Sequence, residues 1–167
     1  MRNTPLGFIR QQGFAVARTN HRLYTALMFQ PRVIGLLVLT GTLLQTPWLF
    51  LALSAVLWLS AIAPTWNPFN TVYNQLFAHR RGRPPLVGAP APRRFAMAVA
   101  AALTFVIGTA LGAGATKTAW TFEGLFLAAV TAIIFARFCT GSYLYAVLWR
   151  QTPATGERAR AAAGQRC

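Results

Sequence analysis

Apolar residues in this chain arrive in long uninterrupted runs. Val33 to Leu44, Trp48 to Pro64, Phe95 to Gly112 and Trp120 to Trp149 each read as a buried or lipid-facing helix. The first run makes only about 18 Å of helix. It is expected to borrow length from Leu23 to Phe29, with a kink at Pro31 where the two stretches join. Thr46-Pro47 separates the first two runs, so they predict a tight antiparallel hairpin. Reading 33–64 as one span would set Gln45 and Pro47 at mid-bilayer and reverse the orientation of everything after it. The pattern therefore predicts spans at about 31–45, 48–64, 95–112 and 120–149.

Between the second and third runs the period changes. Asn67-Pro68 has the chemistry of a helix start, an Asn cap followed by a proline at the first helical position. Phe69, Val72, Tyr73, Leu76 and Phe77 then fall on one face, and Asn70, Thr71, Asn74 and Gln75 on the other, which predicts an amphipathic interfacial helix over 68–79. The stretch 80–94 carries Pro84, Pro85, Pro90 and Pro92 among arginines and reads as a basic linker. Residues 1–22 are basic with weak apolar spacing at Leu6, Ile9, Gly13 and Val16, and two readings stand: a short helix on the membrane surface, or a frayed tail. Residues 150–167 read as a polar tail.

Composition agrees with these runs. Of the 167 residues 55% are hydrophobic and 11% charged, with a mean hydropathy of +0.44, against roughly 25% charged in soluble domains. The sixteen Lys and Arg residues are sorted by run. Arg2, Arg10, Arg18, Arg22 and Arg32 precede the first or stand at its start; Arg80, Arg81, Arg83, Arg93 and Arg94 lie between the second and third; Arg150, Arg158, Arg160 and Arg166 follow the last. The other connections hold only Lys117. Loops rich in Lys and Arg stay cytoplasmic, so the expectation is four spans, both termini inside, in a bacterial inner (cytoplasmic) membrane. A net charge of +14 would also suit nucleic acid. The cations flank apolar runs, however, so anionic headgroups are the expected counterions, met by Arg80, Arg81, Arg83, Arg93 and Arg94. The amino-terminal residues lack the continuous apolar core of a secretory signal, so the first span is expected to act as an uncleaved insertion signal.

Small residues recur every fourth position in the last two runs. Ala96, Ala100, Thr104, Gly108 and Gly112 form one ridge; Gly124, Ala128, Ala132, Ala136 and Thr140 form another. Such ridges let helices approach closely in lipid. The two match in register across an antiparallel hairpin, with the tightest approach expected near Thr104, Gly108, Ala128 and Ala132 and a facing pair at Ala100 and Ala136.

Residues able to carry chemistry are few. Arg137 falls within the fourth run, where an arginine costs at least about 2.5 kcal/mol on insertion scales and faces a polar interior. Of the two acids, Glu123 stands fourteen residues away on the same run, about 21 Å along a helix, and Glu157 is in the tail. Its partners are then neutral groups such as Thr140, Gln45 or the Asn-rich face of 68–79, a lipid phosphate or anionic solute, or a carboxylate on another membrane subunit. Snorkelling towards the headgroups is the plainest reading. Cys139 and Ser142 lie one turn further on; a thiolate beside an arginine is activated, whereas a cysteine within an apolar helix is usually an inert small hydrophobe. His21 and His79 have no ligand partners nearby, and no metal or cofactor motif, phosphate-binding loop or catalytic carboxylate pair is present. Trp48, Trp120 and Trp149 stand at span ends as belt anchors.

The order of landmarks carries a resemblance. A short apolar hairpin, NPFNTVYN, then Pro92-Arg93-Arg94-Phe95-Ala96 opening the third run and Cys139-x-Gly141-x-x-x-Tyr145 in the fourth resemble a bacterial family of small membrane proteins, domain of unknown function 4395, over roughly residues 30–148. In that family the last motif commonly reads Cys-x-Gly-Cys, and members sometimes accompany thioredoxin-like and sulfurtransferase proteins; the resemblance thus implies thiol or sulfur handling. Here Ser142 stands at the second cysteine and removes the dithiol. The resemblance brings no established activity.

The expectation is an all-α integral membrane protein, four spans in two antiparallel hairpins with an interfacial helix, over residues 23–149. Its expected role is structural or accessory and non-enzymatic, without cofactor or nucleic acid. Anionic lipid and another membrane subunit are the expected partners, with thiol handling at Cys139 or small-anion transport at Arg137 as alternatives.

Overall fold

The computed structural model describes residues 4–14, 20–78 and 88–149, and every regular element among them is helical. Helix α1 spans Pro5–Gln11, opened by Thr4, whose hydroxyl accepts the Gly7 N–H at 3.2 Å. One face of it is buried and the other, with Leu6 and Arg10, is exposed. Phe8 and Ile9 are buried against Ala26, Leu27 and Met28 of α2, together with Tyr73 and Cys139.

Helix α2, Asn20–Leu44, joins the two sequence stretches into one, with Pro31 inside it. It ends at Gln45, which adopts φ +47, and α3 follows as Pro47–Ile62. After a single 3₁₀ turn at Pro64–Trp66, α4 covers Pro68–Tyr73 and continues as a π turn over Asn74–Ala78. The Asn67 cap forms as expected, its Oδ1 accepting the Phe69 N–H at 3.0 Å. The apolar stripe of α4 splits: Phe69 and Tyr73 are buried while Val72 and Leu76 are exposed. The element is six α residues before the π turn changes its phase, so one stripe cannot stay on one side. Tyr73 and Phe77 pack on Phe29 of α2, each with ring centroids 5.6 Å away.

Helices α5, Ala91–Gly112, and α6, Thr116–Ala136, form the second hairpin, and α7 covers Thr140–Leu148. The fourth apolar run is thus not one helix over 120–149. It breaks at Arg137, which takes the left-handed conformation at φ 54, ψ 36 and ends α6. Among the described residues, Tyr24–Leu44, Ala91–Gly112 and Thr116–Ala136 are long and apolar enough to cross a membrane; α3, at 16 residues, is shorter.

The long helices form an antiparallel bundle. Helix α3 lies along α5: Gly108 meets Pro47 and Leu51 at one end, the Ser54 hydroxyl donates to the Ala101 carbonyl at 2.8 Å midway, and Arg94 reaches Ala61 and Ile62 at the other. Helix α2 lies along α6, with Gly35 against Val130 and Gln45 against Glu123. Ile34, Val38, Phe50, Leu53, Leu57, Ile107, Phe126 and Val130 fill the space between them.

This arrangement corrects the expected ridge register. Thr104 and Gly108 are buried, yet Gly108 packs on α3; on α6, Ala128 and Ala136 are exposed and Ala132 is partly so, and Gly112 and Gly124 have no neighbour within 4 Å of an added Cβ. The small face of α5 is occupied by the larger side chains of α3. Between Ala100 and α6 the small residues leave open space instead of a close contact.

Candidate functional site

Three pieces of chain converge where the fourth run breaks. Leaving α6 at Arg137 takes the Cys139 N–H out of the helical ladder, while the Phe138 N–H still reaches the Ala132 carbonyl at 3.2 Å, and α1 supplies a partner for Cys139. Gln11 accepts the Cys139 N–H on Oε1 and donates Nε2 to the Cys139 carbonyl, both at 3.1 Å. On the other side α7 docks on the start of α5, with an added Cβ on Gly141 falling 2.8 Å from Ala96 Cα, a contact only glycine permits without a shift. Ser142, buried, points its hydroxyl at the Pro92 carbonyl and at Cys139 Sγ, each at 3.4 Å.

Arg93 enters this junction from the third position of α5. It is 5% exposed. Its Nη2 donates to Gln30 Oε1 at 2.7 Å, and Gln30 Nε2 in turn points at Met97 Sδ at 3.3 Å. The guanidinium carbon stands 5.9 Å from the centre of the Phe14 ring. Nη1 is buried and has no hydrogen-bond partner among the described residues. A buried cation bonded to a neutral amide keeps an uncompensated charge, at a desolvation cost on the order of several kcal/mol.

Arg93 and Cys139 line one cavity of about 350 Å³, together with Gln12, Gln30 and a long apolar wall from α5 and α6, a volume in the lower range of small-molecule sites.

The sequence-level candidates are redistributed. Arg93 was expected among lipid headgroups and is instead buried in the bundle, because its helix starts two residues before it and turns it inward. Arg94 points outward and binds back, donating Nε to the Ala61 carbonyl at 2.8 Å and Nη2 to the Ile62 carbonyl at 3.3 Å, so it caps α3. Arg80, Arg81 and Arg83 lie outside the described residues.

Arg137 is exposed at the break, its guanidinium carbon 5.7 Å from the Tyr24 ring centre, and it is not part of the cavity wall. Gln45, proposed as its partner, is at the opposite end of the bundle, where its Nε2 donates to Glu123 at 3.2 Å and its Oε1 accepts from Trp120 Nε1 at 3.1 Å. Among the described residues no three His, Cys, Asp or Glu side chains gather as a metal site would need.

Gln11, Gln12 and Gln30 escaped the sequence reading as site residues, and Arg93 was read there only as a headgroup contact. The available signal was a set of glutamines placed where the chain is otherwise basic or apolar.

The family model described as a domain of unknown function, DUF4395, matches residues 25–150. The chain belongs to the DUF4395 family. The match covers both helical hairpins from the second turn of α2, the Pro92–Ala96 segment and the Cys139 motif, so the junction lies within DUF4395 except for α1, Gln12 and Phe14. No curated protein and no solved structure matches this DUF4395 chain.

Proposed function

We propose that this chain is an integral protein of the bacterial inner membrane, non-enzymatic and accessory in role, that holds an acidic ligand on Arg93 inside its helix bundle. The observation that carries this reading is Arg93 Nη1, buried without a partner at the wall of a cavity. An acid placed there makes a charge-assisted bond and offsets a charge that Gln30 alone leaves uncompensated. Four crossings, with both termini cytoplasmic, are supported by α3 running beside α5 from Gly108 to Arg94. They are also supported by the sorting of cations, since Arg93, Arg94 and Arg137 share one end of the bundle and Lys117 belongs to the other.

The test is native mass spectrometry of protein purified in neutral detergent. Wild type should carry a bound acidic molecule that Arg93→Met lacks. Equal occupancy in both would remove the reading.

A second reading, thiol handling, is favoured by one observation: Cys139 Sγ lies at the same cavity and receives the Ser142 hydroxyl at 3.4 Å.

A further inference from the structure

The cavity has two unlike ends. Along α5 its wall runs from Arg93 to Leu103, ten residues or about 15 Å. Gln30 and Cys139 stand with Arg93 at one end; Leu103 faces Leu125 and Phe126 of α6 at the other, as the antiparallel hairpin requires. Leu125, which forms part of this wall, is also exposed on the outside of the bundle, so the cavity communicates with the surroundings of α6.

A single cationic group heading a long apolar slot has the polarity of one membrane amphiphile. We infer that the cavity takes a fatty-acyl chain bearing an acidic head, carboxylate or phosphate ester, with the head on Arg93 Nη1 and the chain between α5 and α6. This rests on the acidic-ligand reading above and specifies its chemistry. A chain entering from lipid exchanges one apolar surrounding for another, so little is lost on entry, and the guanidinium supplies selectivity for the acid. A small soluble anion would shed its water to reach a site with one cation and an apolar wall. The head also sits at the bundle end that carries Arg94 and Arg137, where headgroups lie if that end faces the cytoplasm.

Thermal shift and tryptophan-quenching titrations in neutral detergent, with oleate, oleyl phosphate, oleyl alcohol and inorganic phosphate, test the inference. Wild type is expected to be stabilised by at least one of the two acids, which distinguishes carboxylate from phosphate ester. The alcohol should bind about tenfold more weakly or worse, a loss matching one charge-assisted bond. Arg93→Gln should lose the preference of acid over alcohol, and Ala129→Phe, which narrows the slot without touching Arg93, should weaken oleate and oleyl phosphate alike.

If inorganic phosphate stabilises wild type as well as either amphiphile, and Arg93→Gln abolishes it, the acyl inference falls while the acidic-ligand reading stands. If acid and alcohol bind equally, and Arg93→Gln changes neither, both fall. Should Arg93→Gln fail to fold, an unchanged affinity for both acids in Ala129→Phe would by itself overturn the placement of the chain.

Discussion

Gln11 and Cys139, 128 positions apart, exchange two hydrogen bonds between one side-chain amide and both polar groups of one peptide residue. The amide gives the Cys139 N–H the partner it loses when α6 ends at Arg137, and adds a second donor to a carbonyl that already accepts the Tyr143 N–H at 3.0 Å. Gln11→Ala should lower stability by about 1–3 kcal/mol, the penalty for one orphaned buried backbone N–H, and should raise the alkylation rate of Cys139. Gln11→Glu keeps the shape and loses the donor, so it is expected to fall between the two in thermal unfolding.

At the other end Gln45 is held by three bonds: Nε2 to Glu123 and to the Thr42 carbonyl, and Oε1 from Trp120. It holds a backbone conformation that glycine adopts more easily. Gln45→Gly should relieve the backbone and still unfold at lower temperature, since the link between the two hairpins goes with the side chain. Trp120 fluorescence should shift in the same variant. A midpoint above wild type would assign the conformation, and not the bonds, the larger weight.

Gly141→Ala should destabilise by about 1–3 kcal/mol, the range for overpacking, because the added Cβ meets backbone on α5 that cannot rotate away. Gly124→Ala, with open space at the same distance, is the control and should leave the midpoint unchanged or slightly higher.

Single cysteines at Thr46, Thr65 and Thr116, in a Cys139→Ser, Cys167→Ser background, test the crossing number with a membrane-impermeant maleimide in whole cells. Thr46→Cys and Thr116→Cys are expected to label directly, and Thr65→Cys only after permeabilisation. Thr46→Cys and Thr65→Cys labelling from the same side would mean that α3 does not cross.

Ser142→Cys places a second thiol where the native hydroxyl already lies 3.4 Å from Cys139 Sγ. Mild oxidation should close a 139–142 disulfide, read as lost alkylation of both thiols. Two thiols that stay free under oxidant would argue against a dithiol geometry at this junction and against the thiol reading with it.

Much of the secondary structure was legible from local chemistry. Apolar runs, the Asn67-Pro68 start and the Thr46-Pro47 stop act through propensities and caps a few residues long, so they survive without knowledge of neighbours. The break at Arg137 was not legible in the same way: Phe135, Phe138 and the residues around them continue the run. The chain leaves the helix there because Gln11 accepts the freed backbone and Gly141 lets α7 fold against Ala96.

The sequence by itself determined that this is an all-helical chain with lipid-grade apolar segments and its cations gathered beside particular segments, since both follow from which residues water accepts. Which cation lies inside was decided only by tertiary structure. Arg93 and Arg94 are adjacent and chemically alike, and about 100° of helical rotation sends one to the carbonyls of α3 and the other to Gln30 and the cavity. Arg137, the apparent intruder in an apolar run, reaches the surface because the helix stops beneath it. Burial depends on which side of a helix its neighbours take, and those neighbours come from distant parts of the chain.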